Sequence, residues 1–77
     1  MPALFRKDGF RFFFFSNEGN EPPHVHVELG DAYAKFWLNP VELSYSSGFT
    51  SRHLSKLRNL VEENQELFNE SWHEYFN

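Results

Sequence analysis

Pro22-Pro23-His24-Val25-His26-Val27-Glu28 is the stretch of the sequence that decides the fold. Polar and apolar residues alternate after the two prolines, and a period of two is typical of a β-strand. Because successive side chains of a strand point to opposite faces, the two imidazoles and the carboxylate share one face and the valines share the other. We expect the valine face to pack against the core. We expect the histidine face to look outward, from the side of the sheet that the C-terminal helices leave bare.

A second strand pairs with this one across a tight turn. Gly30-Asp31 suits a type II′ turn, which would join the histidine strand to a strand over residues 32–38. The predicted pairs are Glu28 with Tyr33, Val27 with Ala34, His26 with Lys35, Val25 with Phe36 and His24 with Trp37. The hairpin then sorts into an apolar face and a polar face, and the polar face carries His24, His26, Glu28, Tyr33, Lys35 and Trp37.

Another hairpin precedes it. Asp8-Gly9 separates apolar runs over residues 3–7 and 10–16, and Asp-Gly in this setting favours a type I′ turn. The predicted pairs are Lys7 with Phe10, Arg6 with Arg11, Phe5 with Phe12, Leu4 with Phe13 and Ala3 with Phe14. Because two arginines directly opposite each other repel, we expect a carboxylate or an anionic partner near them.

The C-terminal half changes from strand to helix. Residues 41–45 alternate as a short fifth strand, Ser46-Ser47-Gly48 ends it, and Thr50 is a typical helix N-cap. Apolar residues then recur at helical spacing. One helix over residues 51–75 would be about 37 Å long, whereas a compact domain of this size is only about 30 Å across. We therefore predict a break near Glu63-Asn64.

These elements predict an α+β fold in a single domain over residues 1–77. A small antiparallel sheet of four or five strands, built from two hairpins, occupies residues 3–45. One or two helices over residues 51–76 pack on one face of the sheet.

Composition excludes several classes of function. The chain contains no cysteine, which rules out disulfides and thiolate metal sites. The net charge of −4 disfavours a free-standing nucleic-acid binder, which usually carries a high positive charge. No apolar run is long enough to span a bilayer, so we expect a cytoplasmic protein without a membrane partner.

Several pieces of the sequence together resemble a known family. They are the Phe-rich second strand, Pro22 to Val27, Ala34 to Leu38, and Val61-Glu62-Glu63-Asn64 followed by Trp72. Over nearly its whole length the chain resembles the small bacterial domain of unknown function numbered 4160, which has no established activity. The resemblance implies a component of a toxin–antitoxin pair. It also implies a protein partner encoded by the adjacent gene, with a domain of unknown function numbered 2442 as the candidate.

The histidine face allows three chemical interpretations. His24 and His26 next to Lys35 suit acid–base cleavage of a phosphodiester, with the lysine on the developing charge. Alternatively, the two imidazoles bind a metal with Glu28 or a distant histidine as third ligand, although the charge of Lys35 opposes a cation there. In the simplest interpretation the histidines are ordinary polar strand residues that stack on Trp37. We assign no metal ligand and predict no cofactor.

Basic and aromatic residues make up a second candidate surface. If the two hairpins join with their non-core faces on one side, these residues lie beside the histidines as a binding surface for a protein or, less in keeping with the net charge, a nucleic acid. Ordinary burial of the same residues is the alternative. The binding candidates are Arg6, Arg11, Phe13, Glu28, Tyr33 and Trp37, and a homodimer through Phe13 and Phe15 is a further prediction.

The function predicted from the sequence is that of a bacterial interaction domain, a component of a toxin–antitoxin-type pair. It would engage its partner with an exposed histidine, aromatic and basic sheet face. The alternatives are a metal-independent ribonuclease-type toxin with His24 and His26 as the acid–base pair, and a metal-binding domain.

Overall fold

The structure, a computed structural model, describes the backbone of residues 3–76 and the side chains of residues 6–76. Five strands form one antiparallel sheet in the order of the sequence, and two helices follow. The elements are β1 (Ala3–Lys7), β2 (Phe10–Phe13), β3 (His24–Leu29), β4 (Ala32–Leu38), β5 (Val41–Ser47), α1 (Ser51–Glu63) and α2 (Gln65–Phe76). The predicted α+β fold is confirmed.

The hairpin of β3 and β4 has the predicted register. All five predicted pairs, from His24 opposite Trp37 to Glu28 opposite Tyr33, lie directly across from each other. Gly30 has a φ of 58°, and the following Asp31 stays at negative φ, as a type II′ turn requires. A two-residue loop fixes register because it leaves no slack between the strands.

The hairpin of β1 and β2 follows the prediction only near its turn. Asp8 and Gly9 have φ values of 53° and 86°, as a type I′ turn requires, and Arg6 lies opposite Arg11. Farther out the pairing is irregular, so Ala3 lies opposite Phe13, and the predicted pairs of Leu4 with Phe13 and Ala3 with Phe14 are wrong. The predicted pairs also imply that the Leu4 and Phe5 side chains face opposite sides of the sheet, and both side chains lie outside those that the structure describes. Strand β2 also ends at Phe13, three residues earlier than predicted.

The two hairpins join through β2 and β3. Phe12 lies opposite Val27, and Phe13 lies opposite His26. Directly opposed residues share a face of the sheet, so the apolar faces of the two hairpins coincide and so do the polar ones. This is the arrangement on which the predicted basic and aromatic surface depends.

The fifth strand and the helices are close to the prediction. Strand β5 continues to Ser47, two residues past the predicted end, because Ser46 and Ser47 still pair with β4. The Thr50 hydroxyl accepts a hydrogen bond of 3.1 Å from the amide of His53, which confirms the N-cap. Asn64 separates α1 from α2, so the predicted break is confirmed.

The helices cover one face of the sheet. Apolar residues of β2, β3 and β4 meet buried residues of both helices there, and Phe12 stacks on Phe68 with ring centroids 5.5 Å apart. This core contains Phe10, Phe12, Val25, Val27, Ala34, Phe36, Leu38, Leu57, Leu60, Val61 and Phe68. Neither helix within residues 3–76 has the length and apolar character needed to cross a membrane.

Candidate functional site

His24 and His26 lie on the face of the sheet opposite the main helix-packed core, but they are buried. Their relative exposures are 0% and 3%, so the prediction that these rings look out into solvent is wrong. The alternating pattern correctly placed them on the face away from the valines. It did not predict that the loop over residues 14–23 and the end of α2 would cover both rings.

The loop that covers the histidines begins with two consecutive phenylalanines, Phe14 and Phe15. Phe14 packs against Trp72 of α2 with ring centroids 5.5 Å apart, whereas Phe15 lies over His26 at 4.7 Å. Trp72 also contacts His24 at 4.9 Å. The end of helix α2 therefore reaches the histidines and covers part of the site.

Glu18 in this loop is the central group of the site. Its Oε1 atom lies 2.8 Å from Nε2 of His26 and 3.0 Å from Nε2 of His24. The same oxygen accepts a hydrogen bond of 3.1 Å from the amide of Phe15. Glu18 is not predicted from the sequence, because nothing in the spacing of a polar loop shows which residue folds back over a strand.

The remaining ring nitrogens fix the orientation of both imidazoles. Nδ1 of His24 donates to the carbonyl oxygen of Pro22 at 2.9 Å, which leaves a lone pair on Nε2 in the neutral ring. That Nε2 atom is buried and makes no hydrogen bond, since its 3.0 Å approach to Glu18 lacks hydrogen-bond geometry. In neutral His26, Nε2 donates to Glu18, and Nδ1 accepts from the Tyr33 hydroxyl at 2.6 Å.

Burial and hydrogen bonds shift the protonation equilibria of this cluster. Burial lowers the pKa of His26 below its usual value of 6.5, and the bond and charge of Glu18 oppose this only in part. Burial also acts to raise the pKa of Glu18, but its hydrogen bonds, led by that from His26, outweigh this and hold the pKa below 4.5. Burial raises the pKa of Tyr33, and the charge of Glu18 adds to the effect. The site therefore favours a neutral His26 and a charged carboxylate.

The predicted basic residues are paired with carboxylates. Arg11 binds Glu28 at 2.6 Å across β2 and β3, so the predicted carboxylate near the arginine pair is present. Lys35 binds Glu21 at 3.1 Å and lies over the Trp37 ring at 4.4 Å. Glu28, considered from the sequence as a third metal ligand, faces Arg11 instead.

Part of the predicted binding surface is accessible and part is not. Phe13, expected on an exposed surface, is only 1% exposed because Arg11 lies 4.3 Å from the centre of its ring and Phe15 packs against it. Arg6 is exposed on β1. Four predicted binding residues are partly exposed, and with two neighbours that were not among the binding candidates, Lys35 and the exposed Tyr45, they form what we call the open face. The open face consists of Arg11, Glu28, Tyr33, Lys35, Trp37 and Tyr45.

Three side chains of the site are of the types that bind metal ions. One ligand atom from each of Glu18, His24 and His26 lies within 4.8 Å of the others.

A separate, half-open cavity of about 200 Å³ lies on the helix side of the sheet, lined in part by Leu43, Leu54 and Arg58. That cavity contains none of the histidines.

Comparison with known protein families identifies the family of this chain. The model of the family described as Domain of unknown function (DUF4160) matches residues 9–73. No curated protein and no solved structure matches the chain.

Proposed function

The chain belongs to the DUF4160 family, and we propose that it is an interaction domain that docks a partner protein on its open face. The partner is the second component of a toxin–antitoxin-type pair in the bacterial cytoplasm, the role that the resemblance to this family implies. The product of the adjacent gene, with a domain of unknown function numbered 2442 as the candidate, is the partner to test.

The accessible aromatic residues of the open face are the observation that carries this proposal. Tyr45 is 57% exposed, and its ring contacts that of Tyr33 across β4 and β5 at 5.9 Å. Trp37 is partly exposed beside them. Tyrosine and tryptophan are enriched at protein interfaces because they bury a large area at little conformational cost.

The charges of the open face suit a protein partner better than a nucleic acid. Arg11 and Lys35 are each bound to a carboxylate of the same chain, Glu28 and Glu21. A phosphate backbone would have to compete with these internal pairs, and the net charge of −4 opposes its approach. A largely neutral aromatic surface meets no such barrier.

The alternative function, a ribonuclease with His24, His26 and Lys35 as catalytic groups, stays a prediction. It requires that the RNA substrate can reach the two buried histidines. A general acid or base must reach its substrate within hydrogen-bond distance. Phe15 lies over His26, and Glu18 contacts both imidazoles, so a phosphodiester reaches the buried rings only after the loop over residues 14–23 is displaced.

Co-expression with the product of the adjacent gene tests the proposal. We expect the two proteins to co-purify and to elute as one complex in size-exclusion chromatography. Tyr45→Ala is expected to weaken binding roughly 5- to 30-fold, which corresponds to about 1–2 kcal/mol for an aromatic contact residue. Titration calorimetry measures the difference.

Tyr75→Ala is the matched control. Tyr75 has a similar exposure of 45% but lies on α2, where its ring packs against Phe14. Equal weakening by both substitutions, or by neither, contradicts docking through the open face. If the wild-type protein, measured without a second protein, increases in mass as its concentration rises, it forms the predicted homodimer and not a complex with a second protein.

A further inference from the structure

We propose that His24, His26 and Glu18 form a binding site for one divalent transition-metal ion of the Zn²⁺ class. The ligands are Nε2 of each imidazole and the carboxylate of Glu18. The site goes beyond the proposed docking function, since its ligands lie beneath the loop over residues 14–23 and none of them belongs to the open face.

The two distances from an imidazole nitrogen to the carboxylate are close to those expected for this class of ion. Nε2 of His24 and Nε2 of His26 lie 3.0 Å and 2.8 Å from the same carboxylate oxygen. Zinc bound at about 2.0–2.1 Å in tetrahedral geometry separates its ligand atoms by roughly 3.4 Å. An outward shift of about half an ångström by the Glu18 carboxylate, which lies on a loop, lengthens both nitrogen–oxygen distances toward this value.

The unpartnered nitrogen of His24 is independent evidence for a ligand. This atom is buried in a fully covered side chain, and its lone pair faces a carboxylate oxygen. A buried acceptor without a donor is costly, and two electron-rich atoms at 3.0 Å repel each other. A cation between them removes both costs.

The outer hydrogen bonds match those of known metal sites. Histidines that bind a metal through one nitrogen commonly donate the other N–H to a carbonyl or another oxygen, which fixes the ring. Nδ1 of His24 donates to Pro22 in this way. Nδ1 of His26 faces the Tyr33 hydroxyl, which can accept as well as donate a hydrogen bond, so His26 can move its proton from Nε2 to Nδ1 when the metal binds.

The surrounding charges permit a cation. Lys35 lies opposite His26 and by itself opposes a cation, but its ammonium group is bound to Glu21 at 3.1 Å, on the open face. Two nitrogens and one carboxylate favour a Zn²⁺-type ion over Mg²⁺ or Ca²⁺, which prefer oxygen ligands alone. Three protein ligands leave one position for a water molecule or for a group of a partner.

Cobalt titration of tag-free, chelator-treated protein tests the site. We expect saturation at one equivalent of Co²⁺, with the intense visible absorption of a four-coordinate ion. Zn²⁺ should displace the cobalt and raise the melting temperature of the metal-free protein. A wild-type protein that gives no saturable absorption and no thermal shift overturns the proposal, and a protonated His24 then accounts for the 3.0 Å contact with Glu18.

Glutamine substitutions identify the third ligand. Glu18→Gln removes the charge but keeps the shape, and it should weaken Zn²⁺ binding by roughly 100-fold or more, beyond the 10- to 100-fold cost of losing an outer-shell partner. Glu28→Gln, at a carboxylate bound to Arg11 on the open face, should leave the affinity unchanged. Weakening by Glu28→Gln alone overturns the assignment of Glu18. Loss of binding on His73→Gln, at an exposed histidine of α2, overturns the whole site.

Discussion

Val25 and Val27 point from β3 toward the two helices, whereas His24 and His26 point from the same strand to the opposite side of the sheet. All four side chains are at most 3% exposed. The valines are covered by two helices that present apolar residues. The histidines are covered by a loop and the end of one helix, and much of their contact with the loop is polar.

The two kinds of cover have different energetics. Burying a valine stabilises the fold by about 1.5–3 kcal/mol whichever apolar neighbour supplies the surface. A buried hydrogen bond contributes only about 0.5–1.5 kcal/mol net, yet removing one partner costs more because the other is left unsatisfied. The helix side of β3 therefore supplies most of the stability, while the histidine side supplies a specific arrangement of polar atoms.

The largest expected effect is on the helix side. Phe12→Ala should lower the free energy of unfolding by about 3–5 kcal/mol, because it opens a cavity beside Phe68 in a fully buried layer. Urea denaturation followed by circular dichroism measures the loss. Tyr45→Ala, at an exposed aromatic residue, is the control and should stay within about 0.5 kcal/mol. A Phe12→Ala loss as small as that of the control would mean that the helices do not form the main core.

An intermediate effect is expected on the histidine side. In metal-free protein, Glu18→Gln should lower the free energy of unfolding by about 1–3 kcal/mol, because His26 loses its charged acceptor. Glu21→Gln in the same loop is the control and should cost no more than about 1 kcal/mol, since its pair with Lys35 is partly exposed to solvent. Equal losses for the two substitutions would show that the loop acts only as an apolar lid.

The smallest expected effect is the loss of stability of the metal-free protein as the pH falls. The pKa of His26 is below its usual 6.5, so the unfolded chain binds more protons than the folded one as the pH falls below that value. Its contribution to stability is complete above about pH 6.5 and is lost on acidification through the lowered pKa of the folded state. Glu18 adds a further loss below its usual 4.5. The net shift at His26 is small because Glu18 opposes the effect of burial.

Unfolding free energies measured between about pH 7 and pH 5 test this sign. The wild-type protein should lose stability over this range, and a His26→Gln variant should lose less. His24, Tyr33, Glu18 and Lys35 face the ring and are common to both proteins. Parallel curves for the two proteins would show that the titration of His26 does not contribute.

The sequence was sufficient for those parts of the fold that local rules determine. Alternation assigned the faces of β3 and β4, and the two glycine turns determined the pairing next to them. The helix break at Asn64 followed from length alone. These features depend on neighbours in sequence or on a simple geometric limit, and both can be read without coordinates.

The site could be predicted only in part. His24 and His26 were identified as a pair, but their burial was missed because Phe14 and Phe15 continue the apolar run of β2 as a strand would. The structure shows why the strand stops: the amide of Phe15 donates to the Glu18 side chain and not to β3. A side chain that competes for a backbone amide three residues away leaves no periodic signal. Glu18 therefore went unrecognised.

The order of the strands in the sheet has a consequence for biosynthesis. Each strand pairs only with its neighbours in sequence, so the sheet can assemble rapidly as the chain leaves the ribosome from its N-terminus. The helices that cover Val25, Phe36 and Leu38 are synthesised after all five strands. Until residues 51–76 emerge, the nascent sheet exposes a broad apolar surface. Chaperones that shield nascent chains have their main opportunity in that interval.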